Sequence, residues 1–201
     1  MLADTPSRPL RFLPLVVLLA FAVTAADAKK PKDPEELFNP LLGVDYSHWL
    51  VGPVVEMASE KEVEAYLGLT SDEEARAFIT GFWAERNQGT AVFKKTPEDL
   101  FRLRVEEADK RFSEGTYPGS RTARGTVLIL YGEPEKISFE SPQKVGYPPL
   151  EVWEYPKDAE KGLDDERPKR RYRFVEVGES TVLFTGQNLR ADPRARLRIR
   201  N

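Results

Sequence analysis

"GSRTARGTVLILYGEPE", residues 119–135, decides how the two halves of the chain are joined. Two glycines bracket an arginine pair, and the apolar run TVLILY follows at 126–131. Because this run is short, continuous and β-prone, it predicts a strand that is buried on both faces. Gly132 and Pro134 then predict a turn that leads into a second strand at 136–140.

Downstream of this stretch, the sequence alternates as strands do. KISFE (136–140) and LEVWEY (150–155) have a period of two, which places every second side chain on one face. Further strands are expected at 171–177 and 181–185, joined near Gly178-Glu179 by a tight hairpin. The charged segment between them, PKDAEKGLDDERPKR, has no apolar period and predicts an exposed excursion.

Upstream, three patterns predict helices. Ser59 and Glu62 fit a capping box, in which each side chain bonds the backbone amide of the other residue. A second helix opens within Thr70–Glu73, and a third begins at Thr96-Pro97. The second carries one wide apolar stripe made of Ala75, Phe78, Ile79, Phe82 and Trp83. Helices followed by strands predict an α+β fold, with N-terminal helices packed on a mostly antiparallel sheet of about five strands.

The composition excludes several classes of function. The chain has 201 residues and a net charge of −3, so no global basic field points to nucleic acid. It contains no cysteine, which excludes disulfides, thiolate metal sites and a cysteine nucleophile. Its single histidine, His48, excludes a two-histidine zinc motif within the chain. The sequence predicts no metal and no cofactor.

The N-terminus predicts export. Two arginines precede a nearly unbroken apolar run at 12–26, and Ala26-Asp27-Ala28 offers small residues at a cleavage site. The run is short for a membrane span, although an uncleaved anchor is the alternative. No cysteine follows it, so a lipoprotein is excluded. We therefore expect a signal peptide at 1–28, a flexible lead-in at 29–44, and a periplasmic or extracellular mature protein.

The C-terminus is rich in arginine. After a domain expected to span 45–188, the tail 189–201 alternates cationic with small or apolar side chains from Arg194 onward. Three interpretations stay open: a strand edge with a cationic face, an arm that contacts an anionic lipid surface, or a solvated end. The residues proposed for anionic contact are Arg190, Arg194, Arg196, Arg198 and Arg200.

Several motifs together resemble the bacterial GWxTD domain family. That family is named for Gly-Trp-x-Thr-Asp, usually followed by Arg-Gly and a segment ending in Tyr-Gly. The segment 119–125 aligns with this motif without gaps, and SDEEARAFITGFWAERN (71–87) resembles the family's upstream pattern, with Asn87 where an aspartate is usual. Downstream, ILYGEPEKI and VWEY extend the similarity, which covers about 46–155. The matched motif residues are Gly119, Thr122, Arg124 and Gly125.

The resemblance implies an exported bacterial protein and carries no activity to transfer. Ser120 stands in place of the family tryptophan, and Ala123 in place of the aspartate. A function that needs those two side chains is therefore not performed in that way by this chain.

The motif and the turn after it suggest two kinds of chemistry, and the sequence evidence for each is weak. A phosphate cradle places glycines between a strand and the start of a helix. Here the expected order is helix, loop and strand, so the glycines are interpreted as structural, with Arg124 bonding carbonyls or carboxylates near the loop. Glycosidase chemistry needs two carboxylates across a cleft, yet Glu133 and Glu135 flank one turn.

Other candidate residues have a structural interpretation beside the functional one. Glu151 and Glu154 fall on opposite faces of their strand and form a poor acid/base pair. Trp153 and Tyr155 share a face, where they either stack on a sugar or a partner or belong to the core. His48 has no nucleophile elbow to serve. Residues of the upstream stripe, Phe82 and Trp83, are expected in the core, with Arg86 paired to an acid of the sheet.

From the sequence we expect an exported cell-envelope module that binds or supports an unknown envelope protein or polymer without enzymatic activity. Two alternatives stay open. One is a hydrolase that acts on an envelope polymer, which a cleft with two close carboxylates would favour. The other is a membrane-surface accessory factor that uses the arginine tail. An exposed apolar patch or a free sheet edge would favour the binding module.

Overall fold

A computed structural model describes residues 33–90, 94–141 and 148–184. Six helices lie in this part of the chain, followed by four strands. The helices are α1 (Val44–Ser47), α2 (Pro53–Met57), α3 (Glu60–Leu67), α4 (Asp72–Arg86), α5 (Pro97–Phe112) and α6 (Ala123–Tyr131), with a 3₁₀ turn at Gly119–Arg121. The strands are β1 (Lys136–Glu140), β2 (Leu150–Glu154), β3 (Arg171–Val177) and β4 (Ser180–Leu183).

The four strands form one antiparallel sheet in the order β1-β2-β3-β4. Ile137 pairs with Trp153, which in turn pairs with Tyr172. The last two strands are joined by the predicted tight hairpin, in which Gly178 has a φ of 67°. The α+β prediction is therefore confirmed, with four strands rather than about five.

The segment 126–131 was predicted to be a strand, but it belongs to the helix α6, so that prediction is wrong. Thr122 caps the first turn of α6, because its hydroxyl oxygen accepts the Gly125 N–H at 3.1 Å. Gly132 ends the helix with a φ of 79°, in the region that favours glycine. Four consecutive residues of α6, from Val127 to Leu130, are buried. A helix buried on all sides has no polar face, so its sequence reads as a continuous apolar run.

α6 lies between two hydrophobic clusters that the described residues form. The first cluster gathers α2, α3 and α4, and Leu130 joins it from α6. The second joins α5 and the sheet, and Val127, Leu128 and Ile129 belong to it. The partly buried Phe101 and Tyr131 pack against both clusters. The helical half and the sheet half are therefore packed around one central helix.

Two glycines allow α6 to approach the rest of the chain closely. A Cβ atom on Gly119 would overlap the Ala108 carbonyl oxygen of α5, and one on Gly125 would overlap the Gly119 carbonyl oxygen. The backbones of α5, the 3₁₀ turn and α6 are thus in direct contact. Space, rather than an unusual dihedral angle, requires glycine at both positions, since only Gly52, Gly89, Gly115, Gly132 and Gly178 have positive φ among described glycines.

The C-terminal end of α6 is closed by two other parts of the chain. Arg104 of α5 donates to the Ile129 and Leu130 carbonyl oxygens at 2.9 and 3.2 Å. The Leu163 N–H also donates to the Leu130 carbonyl oxygen, at 3.0 Å. The Tyr131 hydroxyl donates a hydrogen bond to an Asp164 carboxylate oxygen at 2.6 Å. The segment 156–170 is therefore not simply the exposed excursion that its charge predicts, because its middle is docked on α6.

The described part of the lead-in also packs on the body. Leu37 and Leu42 are buried in the first cluster. The Asn39 side-chain amide donates to the Tyr66 carbonyl oxygen at 3.1 Å and to that of Leu69 at 3.0 Å. A buried amide bonded to the end of α3 holds this segment in place, so residues 33–44 differ from the expected flexible lead-in.

The predicted helix starts agree with the structure. Both halves of the Ser59–Glu62 capping box are present. Ser71 caps α4, and Thr96 caps α5 with Pro97 at its first position. In the described ranges, no helix has the length and apolar character needed to cross a membrane.

The close glycine contacts predict a large cost for adding one methyl group. Gly119→Ala or Gly125→Ala forces two backbones apart, so each should lower the free energy of unfolding by about 3 kcal/mol or more, or prevent folding. Gly81→Ala is the matched control, because a Cβ on this helical glycine meets nothing within 4 Å. It should stabilise the protein by up to about 1 kcal/mol. Urea denaturation of the variants measures both effects, and equal stabilities would contradict the packing.

Candidate functional site

The turn at 113–122 is held by hydrogen bonds to the end of α5. The Gly119 N–H donates to the Ser113 hydroxyl at 3.1 Å, and the Ser120 N–H donates to an Asp109 carboxylate oxygen at 2.7 Å. The Thr122 hydroxyl donates to the Gly119 carbonyl oxygen at 2.8 Å. The polar groups around the two motif glycines are thus bonded within the protein.

Arg124 lies at the centre of an ion-paired cluster. Its guanidinium donates to Glu114 at 2.9 Å and to Glu151 of β2 at 3.1 Å. The Glu114 side chain is only 9% exposed. The indole N–H of Trp153 donates to the other oxygen of Glu151 at 2.7 Å. We call these four residues, Arg124, Glu114, Glu151 and Trp153, the Arg124 cluster.

The Arg124 cluster connects four separate elements. Glu114 also accepts the Thr181 N–H of β4 at 2.8 Å, through its second carboxylate oxygen. The ring of Phe112, the last residue of α5, lies 5.1 Å from the centre of the Arg124 guanidinium. A single arginine from the start of α6 therefore holds the end of α5, the middle of β2 and the edge strand β4. Its Nε is buried with no hydrogen-bond partner among the described residues.

The Arg124 cluster brings two carboxylates together, but both are occupied. Each oxygen of Glu114 and Glu151 accepts a hydrogen bond from Arg124, Thr181 or Trp153. A general base needs an oxygen free to take a proton from a substrate. A shallow depression does lie on the surface, but it is on α5, lined by Lys95, Asp99, Arg102, Leu103 and Glu106. The geometry at Arg124 is that of a structural ion-pair cluster, which connects elements of the fold.

The start of α6 is also closed to a phosphate. The expected order of helix, loop and strand is wrong, because the turn at Gly119 leads into the helix α6. However, the Gly119 carbonyl oxygen lies directly against Gly125 in the first turn of α6. The Gly125 N–H is already bonded to Thr122. A phosphate needs converging free amides, and here a backbone carbonyl fills that space.

Arg86 forms a second ion pair that connects elements of the fold, away from the sheet. It binds both carboxylate oxygens of Glu62 at 2.9 and 3.0 Å and also donates to the Met57 carbonyl oxygen at 2.9 Å. Its guanidinium lies 3.4 Å from the ring centre of Phe82. The expected acid of the sheet is therefore an acid of α3, and Arg86 joins the ends of α2 and α4 to the start of α3.

The Glu62 carboxyl has an altered pKa. Partial burial raises it, but the hydrogen bond from Arg86, the bonds from the Ser59 backbone and hydroxyl, and the charge of Arg86 together lower the pKa to about 2. The same carboxylate thus completes the capping box and binds Arg86. The capping pattern made Glu62 visible in the sequence, whereas its pairing with Arg86 is set by how α3 and α4 pack.

The aromatic candidates lie in the core. Phe82 and Trp83 pack edge to face at 5.1 Å and belong to the first cluster. Trp153 and Tyr155 are buried in the second. The Tyr155 hydroxyl donates to the Gly132 carbonyl oxygen at 2.7 Å, beside the half-buried Pro134. These residues are therefore not positioned to stack on a sugar or a partner.

The remaining acidic and histidine candidates lie apart from one another. Glu133 pairs with Arg111 of α5, and Glu135 is exposed at the start of β1. Glu154 pairs with Arg171 at 2.6 Å. The His48 ring lies 4.8 Å from the Phe38 ring, tilted by 53°, and its Nδ1 shares a 3.0 Å hydrogen bond with the Ser47 hydroxyl. The arginines of the tail, Arg190, Arg194, Arg196, Arg198 and Arg200, lie outside the described residues.

Sequence reasoning missed three residues that the structure makes central. Glu114 follows α5 in a short polar turn, and no pattern marks it as the partner of Arg124. Arg104 is half-buried at the end of α6, and burial lowers its pKa, although the nearby Tyr155 raises it. Asp164 lies in a charged segment that reads as solvated. Each role depends on a contact between residues distant in sequence, which no local pattern reports.

Comparison with known proteins gives one match. The family model described as the GWxTD domain matches residues 43–177, which is more than half of the chain. No curated protein and no solved structure matches. Within the described ranges, no group of three or more histidine, cysteine, aspartate or glutamate residues is placed to hold a metal ion.

The Arg124 cluster predicts a stability loss that is specific to this arginine. Arg124→Ala leaves the buried Glu114 carboxylate without its cation, which should lower the free energy of unfolding by about 3 kcal/mol. Arg121→Ala is the control on the same turn, because Arg121 is exposed, and it should cost about 0.5 kcal/mol or less. Chemical denaturation compares the two variants. A similar small loss in the free energy of unfolding for both would contradict a stabilising ion-pair cluster at Arg124.

The lowered pKa of Glu62 predicts a pH dependence. Since the folded pKa of about 2 lies below the unfolded value of 4.5, the carboxylate stabilises the protein fully above about pH 4.5. This contribution is lost as pH falls towards 2. The stability difference between the wild type and Glu62→Gln should therefore shrink from pH 5 to pH 2, roughly the interval between these two pKa values. Denaturation curves measure this difference, and Glu64→Gln on the exposed side of α3 is the matched variant that leaves the Glu62–Arg86 pair in place.

Proposed function

Because the chain belongs to the GWxTD domain family, we propose that it is an exported module that binds or supports a component of the cell envelope without catalysing a reaction. The observation that carries the proposal is an exposed apolar segment at 38–44, held rigidly on the body of the protein. Leu41 is 64% exposed and Val44 is 82% exposed, and Phe38 in the same segment is 39% exposed. Exposed apolar side chains grouped on a folded surface mark interaction sites.

The segment 38–44 is fixed by polar contacts beneath its apolar side chains. The Leu41 N–H donates to the Asn39 side-chain oxygen at 3.0 Å, while the Asn39 amide is bonded to the end of α3. The Gly43 N–H donates to Asp72 at the start of α4, at 2.8 Å. A surface that is already ordered loses little conformational entropy when a partner binds. Apolar groups presented in this way suit a binding surface.

The motif residues support a structural role rather than a catalytic one. The glycines of the turn provide close backbone contact, Thr122 caps α6, and Arg124 binds two carboxylates and connects α6 to the sheet. The two close carboxylates that the hydrolase alternative would need therefore already accept hydrogen bonds from within the protein. Export itself is proposed from the leader at 1–28, which precedes the described residues.

Capture from the native envelope fraction tests the proposal. The mature chain, residues 29–201, is immobilised as wild type, as Leu41→Glu/Val44→Glu, and as Leu103→Glu, a control at an exposed leucine of α5. We expect quantitative mass spectrometry to find an envelope component retained by the wild type and the control and reduced at least about tenfold by the double variant. Circular dichroism checks that all three are folded.

Two results would contradict this function. One is equal capture by all three proteins, which would remove the segment 38–44 as a binding surface. The other is release of soluble fragments from purified envelope polymer by the wild type, lost in a folded Glu114→Gln variant. The second result would establish the hydrolase alternative.

A further inference from the structure

The strand β1 forms an open edge of the sheet. It pairs with β2 on one side, and in the described ranges no strand pairs with its other side. Such an edge leaves N–H and C=O groups without sheet partners, and native proteins usually protect it with charge, proline or a bulge. β1 carries one charged residue at each end, Lys136 and Glu140, and between them presents two apolar side chains on one face, Ile137 at 43% and Phe139 at 71% exposed.

The sequence of β1 is complementary to itself. When KISFE is placed antiparallel to a second KISFE with Ser138 opposite Ser138, every remaining pair matches in chemistry. Lys136 faces Glu140 of the second copy, and Ile137 faces Phe139 of the second copy. Twofold symmetry repeats each pair, so the interface contains two opposite-charge pairs and two apolar pairs.

We propose that β1 pairs with β1 of a second copy of this chain, with Ser138 on the twofold axis, so that the two sheets join into one of eight strands. This inference goes beyond the proposed binding function, because it uses a different surface. The occupant is a second copy rather than an unrelated strand, because the charges at the two ends of β1 are opposite and equidistant from its centre.

The local contacts are compatible with this pairing. In the described part of the chain, Lys136 makes no ion pair, so its ammonium is available at the edge. Glu140 is held by Arg173 at 2.9 Å and lies 3.6 Å from Arg171. These two arginines thus orient its carboxylate before a third cation, Lys136 of the second copy, approaches. Ile137 and Phe139 are on the face shared with Trp153, and pairing with a second copy covers both.

Reciprocal charge variants test the register. Lys136→Glu places glutamate opposite glutamate, and Glu140→Lys places lysine opposite lysine, so each variant alone should dimerise at least about tenfold more weakly. An equal mixture of the two restores both opposite-charge pairs in a heterodimer. Analytical ultracentrifugation should therefore show weak dimers for each variant and a tight one for the mixture. A mixture no tighter than either variant would overturn the register.

A cysteine placed on the proposed axis gives a second test that does not depend on Glu140. The chain has no cysteine of its own, so Ser138→Cys introduces one thiol per copy. Opposite residues of paired strands have Cα atoms close enough for a disulfide. Mild oxidation should link Ser138→Cys into dimers far faster than Ser180→Cys, a control on the other edge strand. Equal linking rates, or a wild type that stays monomeric at every concentration, would overturn the proposal.

The two proposals fail independently. If the edge pairs as proposed, Lys136→Glu should change the oligomeric state and leave intact the capture that depends on Leu41 and Val44. If the segment 38–44 binds nothing, the ultracentrifugation and disulfide results are unaffected.

Discussion

The fold depends on the direct contact between the backbones at Gly119 and Gly125. α5, the 3₁₀ turn and α6 are stacked so closely that a single Cβ atom at either glycine would overlap a carbonyl oxygen. This contact places the N-terminus of an apolar helix deep in the protein. The helix then contributes to both hydrophobic clusters and joins the helical half to the sheet half. Glycine at these two positions is therefore a packing requirement.

Charged residues complete what the glycines begin. A helix buried on all sides leaves its terminal polar groups without water, and each needs a partner within the protein. Thr122 closes the first turn of α6, while Arg104 and the backbone of Leu163 close the last. Arg124 then connects the first turn to Glu114 and Glu151. The motif positions Thr122 and Arg124 thus have a physical role that needs no ligand.

The sequence predicted the elements that are marked by short local patterns. The caps at Ser59 and Thr96, the strands β1 to β4 and the hairpin at Gly178 follow from patterns a few residues long. The run at 126–131 was assigned the wrong element, because a fully buried helix and a fully buried strand are both continuously apolar. Thr122 and Gly132, spaced as helix caps, were the available evidence for the helix.

The site was harder to predict than the fold. Arg124 was expected to bond carbonyls or carboxylates near the loop, but its partner Glu114 lies in a turn that has no distinguishing pattern. Arg86 was expected to bind an acid of the sheet and instead binds Glu62, because residues of α3 and α4 pack in the same hydrophobic cluster. Long-range ion pairs are decided by how the elements pack, and a single sequence contains that information only indirectly. The exposed apolar surfaces at 38–44 and β1 likewise appear only once the core is assigned.

The central claim is that α6 is the buried helix on which both halves are packed. Native-state hydrogen exchange of the amides from Val127 to Tyr131 tests it most directly. We expect these amides to exchange as slowly as any in the protein, through global unfolding alone. Exchange through local opening, at a free energy well below that of global unfolding, would contradict it.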